Sequence, residues 1–167
     1  MTGERVTMNG ALALEAPPCP VLVAALGPRM LELAGRLTSG TVTWMVGVKT
    51  IQELTAPVIK EAAAAAGRDA PEVVAGVPVC VTDDEDDARV RAAHSLRMYG
   101  DLPSYRTMLD REELDGPGDM CVIGTEEQVA PRLAAYFEAG ATSIAAAPIG
   151  APEEVERTRA CLAALVT

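Results

Sequence analysis

Apolar residues along this chain fall into short runs separated by stretches with helical spacing, and the two patterns alternate. The first run, Val21 to Ala25, is rich in β-formers and ends in small residues before Gly27-Pro28, which reads as a buried strand turning into a helix. Pro28 suits the first helical turn, where its missing N–H would be unpaired anyway. From Pro28 to about Leu37, the residues Met30, Leu31, Leu33, Ala34 and Leu37 fall mostly on one face, and Thr38-Ser39-Gly40 ends the helix. Thr41 to Val46 predicts a second strand. Gly47 breaks it, and Thr50 with Glu53 three residues on predicts a capping box. That helix runs to about Ala66, bends near Pro57 and stops at Gly67. Glu72 to Val81 predicts a third strand, with an irregularity at Pro78, which cannot donate to a ladder. Thr82 and Glu85 form a second capping box, and Asp83 to Asp87 complement the positive end of the helix they begin, with Ala88, Ala92 and Leu96 inward. Leu102 to Met120 is the least regular part, with a short helical piece around Tyr105 to Leu109. Thr125 and Gln128 form a third capping box, for a helix with Val129, Leu133 and Tyr136 or Phe137 inward that ends at Gly140. Thr142 to Ala147 predicts a fourth strand, and Pro148-Ile149-Gly150 turns into a last helix from about Pro152 to Leu165. Ahead of all this, Arg5 to Leu14 reads as a hairpin around Asn9-Gly10, joined by a stiff linker, Ala16 to Pro20.

Strands that are apolar throughout and alternate with helices mean a parallel sheet covered by helices. The expected class is α/β, with about four parallel βα units preceded by a small β-hairpin. Residues 1–167 form a single domain, in which 1–19 are hairpin and linker and 20–167 the βα units. Four such units equal half of an eight-fold βα barrel. A four- or five-stranded doubly wound sheet is the alternative. Neither G-x-G-x-x-G nor G-x-x-x-x-G-K-[ST] occurs, so a Rossmann or P-loop site has no support.

Composition narrows the partners. The chain has 167 residues, of which 49% are hydrophobic, with one tryptophan, three tyrosines and one phenylalanine, so the core is aliphatic. Fourteen basic against twenty-four acidic residues give a net charge of −10, which argues against a surface that tracks nucleic-acid phosphates. Cys19, Cys80, Cys121 and Cys161 are scattered, with no C-x-x-C pair and only His94 to join them, so no metal site is expected. Buried free thiols imply a reducing compartment. The first residues contain no apolar signal region and no run approaches bilayer-spanning length, so a cytoplasmic protein without a membrane partner is expected. His94, near Arg91 and Arg97, reads as a surface residue rather than a base. The carboxylates of Asp83 to Asp87 point in different directions along a helix and form a solvated helix start rather than a metal site.

Two places carry candidate chemistry. Val21 to Arg29 is a strand ending in a small-residue turn at a helix N-terminus, where free N–H groups and the helix dipole favour an anion; an ordinary βα turn is the alternative. Trp44 lies at a strand end, as a ligand-facing wall or as core packing.

Beyond these local readings, P-V-L-V-A-A-L-G-P-R-M-L-E-L-A-G-R-L followed by G-T-V-T-W-M resembles the second half of luciferase-like flavin- and deazaflavin-dependent oxidoreductases. V-V-A-G-V-P-V-C-V-T-D-D-E-D-D-A, G-T-E-E-Q-V and E-A-G-A-T-S-I follow in the same order, and the likeness spans about Arg5 to Leu165. It is greatest to members that use 8-hydroxy-5-deazaflavin (coenzyme F-420) rather than FMN. The resemblance implies a partial TIM barrel, family members running to about twice this length, with ligands at the C-terminal ends of the strands. It implies that Ala25, Leu26 and Gly27 give backbone N–H groups to the cofactor's phosphate and that Trp44, Met45 and Val46 line the adjacent wall. Tyr105 and Arg106 would contact a small-molecule substrate or the acidic tail of the cofactor, with a surface loop pair as the alternative. It names no catalytic acid or base. The implied reaction is hydride transfer between reduced coenzyme F-420 and an organic substrate, in which the protein orients and the cofactor reacts. An FMN-dependent monooxygenase is one alternative, and a non-catalytic truncated paralogue or assembly partner another. The other half of the barrel would come from a second copy, making a homo-oligomer, or from a complementing barrel half.

Overall fold

The computed structural model describes residues 19–166; the hairpin expected over Arg5 to Leu14 and most of the Ala16 to Pro20 linker lie outside the described residues. In chain order the elements are β1 (Leu22–Ala24), α1 (Pro28–Leu37), β2 (Gly40–Trp44), α2 (Val48–Thr50), a π-helical turn (Ile51–Thr55) and α3 (Ala56–Ala65). Then follow β3 (Glu72–Val81), α4 (Glu85–Ser95), α5 (Arg97–Asp101), α6 (Pro103–Glu112), β4 (Val122–Gly124), α7 (Glu126–Glu138), β5 (Ser143–Pro148) and α8 (Pro152–Leu165).

All strand pairs are parallel, and β1, β2 and β3 lie side by side in chain order. Val79 of β3 pairs with both Val122 of β4 and Pro148 of β5, so these two strands flank β3 on opposite edges. β4 shares the β2 edge, above the point where the β2 ladder ends at Gly76. Apart from β4, the strands therefore run β1-β2-β3-β5 without reversal. Right-handed crossovers along this order place α1, α3, α7 and α8 together on one face, where a doubly wound sheet would divide them between two. The excursion between β3 and β4 lies on the other face, with α4 packed on Cys80 and α5 and α6 on Trp44. The α/β class with parallel βα units holds, and the doubly wound alternative falls away. β4 is a fifth strand where about four were expected, since V-I-G is too short to show a period of its own.

The register explains how Pro78 fits inside a central strand. Met45 N donates to Gly76 O and Thr82 N to Gly124 O, while Thr142 N and Ile149 N donate to Val73 O and Val79 O. Even-numbered groups of β3 thus face β2 and β4, and odd-numbered ones face β5. The missing N–H of Pro78 points into the gap between the end of β2 and the start of β4, where no ladder bond is lost. On the other edge β5 stops short of Val81, and the buried Thr158 hydroxyl of α8 takes the Val81 N–H at 2.8 Å.

One sheet face carries the core. Val73, Ala75, Val77, Val79 and Val81 are all buried and pack with Ala34 of α1, Ile59 of α3 and Val129, Leu133 and Tyr136 of α7. Gly35 lets α1 approach α3, since a Cβ there would lie 2.5 Å from Ile59 O. The opposite face bears Ala24, Val42, Trp44, Val74, Ser143 and Ala145 by register, and Ala24, Ser143 and Ala145 are exposed.

Two of the three expected capping boxes are corrected. Thr50 lies inside the helix that starts at Val48 after Gly47, and its hydroxyl caps nothing. At the third strand's end the cap is Asp84, whose carboxylate accepts from Asp87 N at 3.1 Å, while Thr82 accepts from Asp84 N. An Asx cap two residues on was the stronger competitor. The third forms by half: Thr125 N donates to Gln128 Oε1 at 2.8 Å, while the Thr125 hydroxyl donates to Glu127 Oε2 at 2.9 Å instead of accepting from the helix. The bend expected near Pro57 takes the form of the π-helical turn just before it, which accommodates the proline's missing donor.

Candidate functional site

At the C-terminal ends of β1 and β2, the side chains of Ala24, Ala25, Leu26, Val42, Thr43, Trp44, Ser104 and Tyr105 surround a cavity of about 310 Å³. The walls follow from the register. Ala24 and Val42 are paired residues on the concave face, and Trp44 continues that face one step beyond Val42. Ser104 and Tyr105 come from the first turn of α6, which crosses above the strand ends. Gly27 is the N-cap of α1, with ordinary extended backbone (φ −95°, ψ 159°) and no side-chain cap. A Cβ built on it would meet nothing within 4 Å, so glycine here leaves the amide edge open rather than relieving a clash. The N–H groups of Leu26 and Gly27 find no acceptor among the described residues. An open turn with unpaired donors at a helix N-terminus suits an oxyanion.

Beside this turn stands an aromatic group. Tyr99 lies edge-on to Tyr105 with ring centroids 4.8 Å apart, and Trp44 is tilted against Tyr99 at 6.3 Å. Burial pushes the Tyr105 phenol up from its ordinary pKa, so it stays protonated, able to donate. The Trp44 indole N–H is buried without an acceptor among the described residues. That atom has no surface on the cavity, so Trp44 presents its ring rather than its N–H to a ligand. Tyr99 went unnoticed in the sequence. The signal was available in the scarcity of aromatics, since three of the five rings in the chain gather here.

The structure separates the other expected site residues from the cavity. Met45 has left-handed backbone (φ 52°), which ends the alternation of β2 just after Trp44. The Met45 side chain is buried against Leu109 and Met120, and Val46 enters the main core. Arg106 points away from its neighbour Tyr105 and closes the end of its own helix. Its guanidinium donates to Asp110 Oδ1 at 2.8 Å, Leu114 O at 2.8 Å and Asp115 O at 3.0 Å. The second strand-end helix start, at α2, is already filled. Glu112 of α6 accepts from Thr50 N at 2.6 Å and Lys49 N at 3.3 Å. A larger cavity of about 590 Å³, between α4 and Ile149–Ala151, is walled mainly by apolar residues, together with Cys80, His94 and Arg91. Arg91 is held there by Glu154 through two bonds of 2.8 Å. Burial pushes the Cys80 thiol up to about 11 and that of Cys121 up to about 12, which leaves both unreactive.

The family model of the luciferase-like monooxygenases matches residues 1–143. The chain belongs to this family. It is 34% identical over 104 residues to a 5,10-methylenetetrahydromethanopterin reductase of Methanolobus tindarius, a match covering 58% of this chain and 32% of the relative. It is 29% identical over 154 residues to an F-420-dependent glucose-6-phosphate dehydrogenase of Kineococcus radiotolerans, covering 89% of this chain and 44% of the relative. Among solved structures, an EDTA monooxygenase from Chelativorans sp. BNC1 superposes with a TM-score of 0.69 at 15% identity, over 99% of this chain and 49% of that one. The family member described here thus spans less than half the length of the curated relatives it matches, and its fold corresponds to half of a luciferase-like chain.

Proposed function

We propose that this chain holds coenzyme F-420 and belongs to an oxidoreductase that moves hydride between that cofactor and a small organic molecule. The observation that carries the reading is the open, uncapped amide turn at Leu26–Gly27, whose Leu26 lines one cavity with Trp44 and Tyr105. The turn suits a phosphate and the aromatic walls a flat ring, and a relative 29% identical over 89% of this chain is F-420-dependent. Ala25, Leu26 and Gly27 would hold the phosphate, and Trp44 and Tyr105 the adjoining part of the cofactor or the substrate. When bound, the deazaflavin supplies the hydride chemistry. The chain supplies donors, aromatic walls and a cavity. Met45, Val46 and Arg106 are left out of this assignment because their side chains are committed elsewhere.

FMN with oxygen is the second reading, favoured by the fold shared with a monooxygenase. Equilibrium dialysis of the full chain against each cofactor tests the choice. Retention of coenzyme F-420 and not FMN supports the first reading, and the reverse result replaces it.

The chain's own half of the site needs a complement. Among the described residues β1 and β5 each pair on one edge only. Their free edges have the same parallel sense, so a two-fold axis along the strands would set β5 of one copy beside β1 of another. Two copies, or one complementing barrel half, would close eight strands around the concave face that bears Trp44.

A further inference from the structure

The two residues other than glycine with left-handed backbone among those described are Met45 (φ 52°) and Glu113 (φ 61°). They lie on the two segments that meet at Glu112. Met45 is in the link from β2 to α2, and Glu113 ends α6, with Leu114 N closing the helix by donating to Leu109 O at 3.0 Å. Backbone outliers gathered at one junction point to a geometry that the surrounding contacts enforce. Glu112 supplies those contacts, with its two oxygens on the N–H groups of Lys49 and Thr50. Gly47 makes room for it, because a Cβ there would lie 2.3 Å from both Cδ and Oε2 of Glu112. Lys49 Nζ adds an ion pair to Glu113 at 2.6 Å. Met45 packs against Leu109 on the same helix. The far end of that helix carries Ser104 and Tyr105 into the cavity.

We infer that Glu112 is a positioning residue. By clamping the C-terminal end of α6 to the first N–H groups of α2, it holds Tyr105 against Tyr99 and over Trp44. The carboxylate touches no cavity wall, so it acts through the helix alone. Its consequence for ligand binding rests on the function proposed above, whereas its hold on Tyr105 does not.

The chain's one tryptophan reports the position directly. In the full chain, Glu112→Ala raises the acrylamide quenching constant of Trp44 roughly twofold, as a locally opened cover would. Glu112→Gln, which keeps the shape but offers one acceptor oxygen for two donors, gives a smaller rise. Gly47→Ala, which drives the carboxylate from its seat without altering α6, reproduces the effect and decides the matter should Glu112→Ala not fold. Quenching equal to the parent's in folded Glu112→Ala and Gly47→Ala overturns the clamp. Affinity for coenzyme F-420 falls roughly tenfold in Glu112→Ala, the scale of losing a group that orients a ligand-contacting one. No binding by the parent chain rejects the proposed function and leaves the clamp to the quenching result.

Discussion

Gly27 is the residue at which stability and function separate most cleanly. Its backbone angles suit any residue, and space for a side chain lies open. An aspartate there is a good N-cap, stabilising a helix relative to glycine by a few tenths of a kcal/mol, yet it points a negative charge where an anion would bind. Gly27→Asp is therefore expected to unfold at the parent's temperature or slightly above it while losing affinity for an anionic cofactor. Thermal scans with and without ligand measure both. The cysteines make a contrasting pair of expectations. Exposed Cys19 should react with a thiol reagent at pH 8, and Cys80 and Cys121, with thiol pKa values of about 11 and 12, only after unfolding. At this scale the sequence told much about type and little about direction. Trp44 and Tyr105 declared themselves as rare aromatics at a strand end and in an irregular segment. Nothing in W-M-V, however, shows that Met45 adopts left-handed backbone and turns itself and Val46 away from the cavity. Nor does Y-R show that Arg106 folds back on the carbonyls that end its helix.

Among the elements, the join between α4 and α8 is electrostatic. Glu154 receives both Arg91 nitrogens and the Ala151 N–H at 2.7 Å, with its side chain 17% exposed. The Arg91 guanidinium holds its carboxyl at about 2, below the ordinary 4.5. A carboxyl whose folded pKa is depressed gives stability that is present above its unfolded pKa and lost as pH falls through the folded one. Its contribution should fade between about pH 4.5 and about pH 2, and Glu154→Gln should flatten the acid limb of the stability profile over that window. The α1–α3 contact is apolar and close. Gly35→Ala pushes a methyl into Ile59 O and Ala62 Cβ and should cost about 1–3 kcal/mol, as overpacking does, in a denaturant titration. Strand positions were the most legible elements, because apolar runs such as Glu72–Val81 differ sharply from their helical surroundings. Caps were less so. Thr50 lost its role to a carboxylate 62 residues away in the chain, a partner no local pattern can show, and β4 was too short to have a pattern.

The whole molecule shows what its sheet lacks among the described residues. Beyond the free edge of β1, Met30, Leu33 and Leu37 form an exposed stripe along α1. Glu32 and Arg36 border α3 instead, so the stripe lies on the flank away from it. Exposed apolar stripes and open edges favour association. If two copies close the sheet, light scattering will give twice the 17.4 kDa chain mass, and Leu33→Glu with Leu37→Glu will return it to one. A monomer at every concentration would instead assign the edges to a complementing half. The α/β class was readable because alternating apolar strands and helices leave few topologies open, whereas the winding was chosen only by the family resemblance. The closure was not readable, since a partner across a free edge leaves no mark on spacing. The function proposed for this chain depends on the Ala25–Gly27 turn and Trp44 receiving the deazaflavin cofactor together. It is tested most directly by titrating coenzyme F-420 into the full chain while following Trp44 emission, in the parent and in Gly27→Asp. Saturable quenching is expected in the parent and its disappearance in the folded variant. No quenching in the parent, or equal quenching in both, would contradict it.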